Sequence, residues 1–226
     1  MPSRTLIAES LTPDGERLSL TLEEGHHVVR VRGELLMSSR LSGSEEALAK
    51  LALSGCASGA ASRVLVGGLG IGFTLRAVLD ELGPSARIDV LELLEAVVDW
   101  NRGPLATHAG HPLGDPRVAV IVDDVLAHLT AVEYGYDAIV LDVDNGPEAF
   151  TIKANASLYA PAGLATLHAA LRPGGVMVLW SAFRSPDFER RLRRAGFGVT
   201  TETVRARGAV RKGARHTVFK AVRAHS

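Results

Sequence analysis

The chain has 226 residues, 46% of them hydrophobic and 22% charged, which suits one large α/β domain, or one domain with a small appendage, built on a substantial core. Lys+Arg and Asp+Glu both number 25, so the formal net charge is zero, and no global field draws the protein to nucleic acid or to an anionic membrane. The single cysteine, Cys56, cannot form an internal disulfide and has nothing nearby in sequence to lower its pKa, so a reducing compartment is expected and a catalytic thiol is not. No basic segment followed by an apolar run opens the sequence, and no stretch approaches the ~18 apolar residues of a membrane span. A cytoplasmic protein is the expectation.

Residues 1–40 contain the β-type runs SLTL, HVVRVRG and ELLM, broken by Pro13-Asp14-Gly15 and by Glu24-Gly25. They predict a small N-terminal antiparallel β unit over residues 1–43, followed by a larger domain over 44–226. Residues 44–54 predict a helix, with Ser44 as N-cap and Glu45 and Glu46 in its first turn. After a small-residue linker at 55–62, strands and helices alternate. Strands are predicted at 63–66, 87–93, 118–122, 137–141 and 176–180, and helices at 73–82, 94–101, 124–132, 157–171 and 186–195. Two last strands, near 198–204 and 216–223, are joined by a basic loop and predict an antiparallel hairpin at the sheet edge. Alternation of this kind implies a mostly parallel, Rossmann-like sheet with helices on both faces. The apolar run VAVIV at 118–122 reads as a strand buried on both sides.

In such a sheet, ligands bind outside the carboxyl ends of the strands. Four predicted strand ends carry informative residues. The turn Gly67-Gly68-Leu69-Gly70-Ile71-Gly72 lets backbone approach a ligand closely, although such turns also serve dinucleotides or only tight packing. Glu92 closes the next strand, where a carboxylate can accept both hydroxyls of a ribose, in an NAD or an S-adenosylmethionine site alike. Asp123 and Asp124 follow VAVIV and could take a hydrogen bond from an adenine amino group, cap a helix, or do both. Asp142 and Asp144, in DVDNGP, stand where a transferred group would meet its acceptor. An acid there can orient an amine and take its proton, since free amines have pKa values near ~10; an Asx-turn closing the strand is the structural alternative.

In order, the blocks RVLVGGLGIGFTLRAVL, LELLEAVV, DPRVAVIVDD, YDAIVLDVDNGP and LRPGGVMVL resemble the nucleotide-binding turn, ribose segment, adenine segment, catalytic strand and following strand of spermidine synthases. The match runs through about residues 63–180, with a looser likeness upstream. The resemblance implies a seven-stranded sheet of the class I methyltransferase type. It implies a sulfonium nucleoside, S-adenosylmethionine or its decarboxylated form, as co-substrate, and a small amine as acceptor. Glu92 would bind ribose, Asp124 would face adenine, and Gly68, Gly70 and Gly72 would line the nucleoside. Asp142 would orient and deprotonate the attacking amine. Enzymes of this family are often homodimers.

The departures from the family pattern concern the acceptor. Ile71 stands where the family carries an Asp that holds the aminopropyl amine. Ser44 and Glu45 stand at its Tyr and His positions, the second acid of the catalytic strand comes one place early as Asp144, and Trp180 replaces a smaller polar residue. The expected reaction is aminopropyl transfer. Methyl transfer on the same scaffold is the alternative, a non-catalytic nucleoside-binding module the second alternative, and an NAD enzyme a distant fourth. The basic loop from Arg205 to His216 has no interleaved aromatics for stacking bases and reads as a solvated hairpin loop, so nucleic acid is not an expected partner. His26, His27, His108 and His111 fall in apparent loops without metal-ligand spacing, and no metal is expected.

Overall fold

A computed structural model of the chain describes residues 4–40, 43–54, 62–143, 146, 153–205 and 215–225. Asp144, Cys56 and the basic residues Arg207, Arg211 and Lys212 lie outside them. The first four strands, β1 (Arg4–Leu11), β2 (Arg17–Glu23), β3 (His26–Val31) and β4 (Glu34–Ser38), form an antiparallel meander. The strand β1 had no separate signal in the sequence. Its residues Leu6, Ile7 and Leu11 are exposed, so no alternation of buried and polar positions marks it. His26 and His27 open β3 rather than lying in a loop, and His27 Nδ1 sits 2.7 Å from His108 Nε2.

The second sheet has seven strands. They are β5 (Arg63–Gly67), β6 (Arg87–Glu92), β7 (Val118–Val122), β8 (Tyr136–Leu141), β9 (Leu171–Ser181), β10 (Phe197–Arg205) and β11 (Arg215–Arg223), in spatial order β10-β11-β9-β8-β5-β6-β7. The pairs β5–β6, β6–β7, β5–β8 and β8–β9 are parallel. The pairs β9–β11 and β10–β11 are antiparallel, the expected edge hairpin. The chain leaves β5 outward to β6 and β7, then returns to β8 on the other side. A crevice therefore opens at the carboxyl ends of β5 and β8, where the strand order reverses.

The helices are α1 (Gly43–Leu53), α2 (Phe73–Glu81), α3 (Glu95–Arg102), α4 (Val125–Leu129), α5 (Pro161–Ala170) and α6 (Pro186–Arg194). Alternate residues of the central strands feed two cores, as the two-residue period of a strand requires. Val64, Val66, Ile88, Val90, Ala138 and Val140 pack with side chains of α1, α2 and α3, and on the same face with Leu18, Leu20, Val29 and Val31 of the small sheet. Leu65, Leu91, Ile139 and Leu141 pack instead with α4, α5 and α6.

Three expectations are corrected here. VAVIV is the edge strand β7, with Val122 49% exposed; β5, β6 and β8 are buried on both sides instead, as is the Val176–Leu179 part of β9. The helix expected over 157–171 is two pieces, a 3-10 segment Lys153–Tyr159 and then α5. Pro161 has no N–H to continue a preceding turn and so opens a new helix. Last, α4 stops at Leu129, and the chain turns through Tyr134 with φ 49° before β8.

Candidate active site

The turn after β5 is held by its own backbone. Gly68 N–H donates to the Leu91 carbonyl and Asp142 N–H to the Gly67 carbonyl, at 2.8 and 2.9 Å. Gly68 has φ 88°, and a Cβ there would lie 2.4 Å from the Asp142 carbonyl oxygen, so only glycine lets β5 and β8 end this close together. At Gly70, φ 55°, a Cβ would meet nothing within 4 Å: the backbone faces open space. Asn101 Nδ2 fixes this arc by donating to the Gly70 carbonyl at 2.8 Å.

Glu92 ends β6 and is only 8% exposed. Its Oε2 accepts from Leu69 N–H and its Oε1 from Leu94 N–H, both at 2.9 Å. Burial raises its pKa, and these backbone donors, with those of Leu93 and Gly70, pull against that rise. A carboxylate offers about four acceptor positions. The carboxylate braces the glycine turn through these backbone donors. Asp124 caps α4, its Oδ1 accepting from Leu126 and Ala127 N–H at 2.9 and 3.0 Å; the other oxygen takes no part in the cap. Asp123 Oδ1 accepts from Asp124 N–H at 2.8 Å.

Asp142 follows β8 at the centre of the crevice. Thr74, in the first turn of α2, donates from Oγ1 to Asp142 Oδ2 at 2.6 Å. Burial raises the Asp142 pKa and the Thr74 hydroxyl opposes the rise. Glu45, from the start of α1, stands beside it. Its carboxyl is pushed up to about 7, first by burial and then by the Asp142 charge, although Ser44 Oγ donates to it at 2.9 Å. Burial and the neighbouring Asp142 charge thus keep the Glu45 carboxyl largely protonated below about pH 7.

Two cavities meet at Asp142, Gly70, Leu36 and Met37. The smaller, about 70 Å³, is lined by Gly68, Gly70, Glu92, Asp123, Asp124 and Asp142, with Asn155 and the apolar Leu91, Leu94 and Val125. The larger, about 280 Å³, is lined by Glu45, Ile71, Phe73, Thr74, Trp180 and His216 beneath the β4 residues Leu35–Ser38. Six of the eight residues expected from the sequence thus converge on one cavity. Gly72 is not among the lining of either; it opens α2, packed against Asn101, Ala109 and Pro112. Asp144 lies outside the described residues.

Sequence reasoning missed Thr74, Asn155, Leu36, Met37 and the role of His216 in a cavity wall. For Thr74 the only signal was a hydroxyl residue in the first helical turn after the glycines. The others come from elements far apart in the chain. Among the described residues, no group of three or more His, Cys, Asp and Glu side chains gathers as a metal site would require, and no helix is long and apolar enough to cross a membrane.

Against known proteins, the family model for the spermine/spermidine synthase domain matches residues 43–193. The chain belongs to this family. A polyamine aminopropyltransferase of Mycobacterium tuberculosis (strain ATCC 25618 / H37Rv) is 32% identical over 149 residues, covering 62% of this chain and 28% of that protein. A polyamine aminopropyltransferase of Korarchaeum cryptofilum is 29% identical over 119 residues, covering 53% of this chain and 35% of its own length. The matched stretch therefore spans about a third or less of these curated relatives. Among solved structures, spermidine synthase from Thermotoga maritima superposes with a TM-score of 0.76 at 17% identity, covering 98% of this chain and 74% of that one. A spermidine synthase in complex with the transition state analogue AdoDATO gives 0.75 at 16% identity, covering 98% and 73%. The spermine/spermidine synthase fold is thus shared along nearly the whole chain, small sheet included.

Proposed function

We propose that the protein transfers an aminopropyl group from decarboxylated S-adenosylmethionine to an amine. In this reading Glu92 receives the ribose hydroxyls, Asp123 and Asp124 face the adenine, and Gly68 and Gly70 form the backbone cradle, while Gly72, expected there from the sequence, instead opens α2 against Asn101, Ala109 and Pro112. Asp142 orients the acceptor amine and takes its proton, with Asp144, two residues on in the sequence, as a second acid. The amine lone pair attacks the carbon next to the sulfonium and the C–S bond breaks. Its electrons neutralise the sulfur, leaving a thioether, and the proton lost by the new secondary amine passes through Asp142 to solvent. The nucleoside supplies the leaving group; the protein supplies position and a proton acceptor.

One observation carries this reading: the cavity that joins the nucleoside cavity at Asp142 contains Glu45 and Asp142 and, among its described lining residues, no Lys or Arg. His216 stays neutral near pH 7 because burial lowers its pKa. Such a cavity attracts ammonium groups and repels the carboxylate of intact S-adenosylmethionine. Methyl transfer is the second reading, favoured by Ile71, which removes the family's anchor for the aminopropyl amine. The test is to incubate the protein with each nucleoside and an amine mixture and to identify the nucleoside released. Release of 5′-methylthioadenosine from the decarboxylated form supports aminopropyl transfer; release of S-adenosylhomocysteine from the intact form supports methyl transfer.

The same reading takes 1–43 as a small β unit and 44–226 as the nucleoside-binding domain, working in the cytoplasm. A homodimer is part of it, supported by the exposed Leu6, Ile7, Leu11, Leu22 and Leu35 on the small sheet. Sedimentation equilibrium decides whether a dimer forms.

A further inference from the structure

Thr74 stands in the first turn of α2 at a position that packing alone would fill with valine. It is 2% exposed and belongs to the buried stripe of Leu75, Val78 and Leu79. Valine has the same shape and no hydroxyl to desolvate, so the oxygen costs stability there unless it is well partnered. Thr130 and Thr166 spend theirs locally, donating from Oγ1 to the carbonyls of Leu126 and Ala162, four residues back, at 2.8 and 3.2 Å. The carbonyl four residues before Thr74 is that of Gly70, which accepts from Asn101. Thr74 Oγ1 donates instead to Asp142 Oδ2, 68 residues away in sequence, at 2.6 Å, a distance typical of a hydroxyl bonded to a carboxylate.

The neighbouring carboxyl is held differently. Glu45 accepts from Ser44 Oγ, its own chain neighbour, at 2.9 Å, so that bond ties it to no second element. The Thr74 bond ties the end of β8 to the start of α2, a helix that opens directly out of the glycine turn. We infer that Thr74 is a positioning residue for the transfer: its hydroxyl fixes the Asp142 carboxyl and makes it, rather than Glu45, the acceptor of the amine proton. The electrostatics agree. Burial raises Asp142 and the Thr74 hydroxyl opposes that rise, while Glu45 is raised by burial and then by the Asp142 charge, so Asp142 ionises first. The bond changes are those of aminopropyl transfer, with the proton passing from the amine nitrogen to Asp142 and on to solvent. The inference rests on that reaction, and its test separates the two.

The experiment measures 5′-methylthioadenosine release from decarboxylated S-adenosylmethionine as a function of pH. It uses, at saturation, whichever of putrescine, cadaverine, spermidine and hexylamine the wild type turns over fastest. Thr74→Val should lower kcat near neutral pH about tenfold and move the acid limb of the kcat–pH profile upward by about one pH unit, with KM for the nucleoside changed less than about twofold. Thr74→Ser keeps the hydroxyl and should restore the limb, with kcat within about threefold of wild type. Among the described residues, the other titratable groups lining the two cavities are Glu45, Glu92, Asp123, Asp124 and His216. All are unchanged in both variants, so a moved limb reports the hydroxyl. If Thr74→Val does not fold, Thr74→Ala against Thr74→Ser makes the same comparison. A wild-type limb in the variant lacking the hydroxyl, or an equal loss in Thr74→Ser, overturns the inference and leaves aminopropyl transfer standing. No release by the wild type with any of the four amines overturns both.

Discussion

The nucleoside-side cavity is walled mainly by the ends of β5, β6, β7 and β8, neighbouring strands of one sheet, whereas the acceptor-side cavity, which shares Leu36 and Met37 of β4 with it, draws on α1, α2, β9 and β11. The first is fixed by ladder hydrogen bonds and by backbone donors to Glu92. The second is assembled across two sheets and two helices, with its geometry held by side chains. Residues on the first wall match the family pattern, and the departures at Ser44, Glu45, Ile71 and Trp180 fall on the second. A site built from strand ends can keep a nucleoside while a site built from separate elements is rewritten one side chain at a time.

The sharpest way to break this contrast is Asp142→Asn, at the one charged residue common to both cavities among the described lining residues. It should lower kcat by about 10²–10⁴-fold through loss of the proton acceptor, with nucleoside affinity nearly unchanged by calorimetry. Turnover close to wild type would remove Asp142 from the chemistry. Glu92→Ala acts on the other wall. It should weaken nucleoside binding by roughly 1.5–3 kcal/mol for lost charge-assisted hydrogen bonds. It should also lower the melting temperature, because Leu69 and Leu94 N–H lose their acceptor. Wild-type affinity would end the ribose assignment.

Glu45→Gln sharpens the comparison through pH. The carboxyl has its pKa raised from 4.5 to about 7 in the folded protein. The native state therefore binds more protons than the unfolded chain between those values, and stability falls as pH rises through that window. Gln removes the effect. The variant should be more stable than the parent by about 1–2 kcal/mol at pH 8, less than the full shift implies because the pair faces a solvated cavity, and equal to it near pH 4. Urea melts at the two pH values measure the difference. In the parent, KM for the amine should fall as pH rises through about 7, because only ionised Glu45 draws an ammonium. Smallest in stability is Gly70→Ala, at about 1 kcal/mol for a left-handed φ, yet its methyl enters the open space of the nucleoside cavity and should reduce nucleoside affinity at least tenfold. Unchanged affinity would show that the backbone at Gly70 does not meet the nucleoside.

How much of this was legible in the sequence follows from the range of the interactions. The strands β5 and β8 carry continuous apolar runs and β6 one interrupted only by Asp89, each followed or closed by glycine or an acid, and a local pattern suffices to find both the strand and its functional end. Edge position is a property of the sheet, so VAVIV looked like a buried strand and is an exposed one. The Pro161 break lay in plain view, but helical residues on both sides hid it. The departures Glu45, Ile71 and Trp180 were visible as letters, while the juxtaposition of Glu45 with Asp142 and of Trp180 with His216 depends on how α1 and β11 pack, which no local pattern encodes. The exposed β1 shows the same limit from the other side: its pairing with β2, from Arg4 opposite Glu23 to Leu11 opposite Arg17, leaves no buried stripe to read.

The most direct test of the account is a calorimetric titration of the protein with S-adenosylmethionine and with its decarboxylated form. An anionic cavity beside the nucleoside pocket predicts tighter binding of the decarboxylated form, with the preference reduced in Glu45→Gln. Tighter binding of intact S-adenosylmethionine would contradict aminopropyl transfer and point to a methyl acceptor.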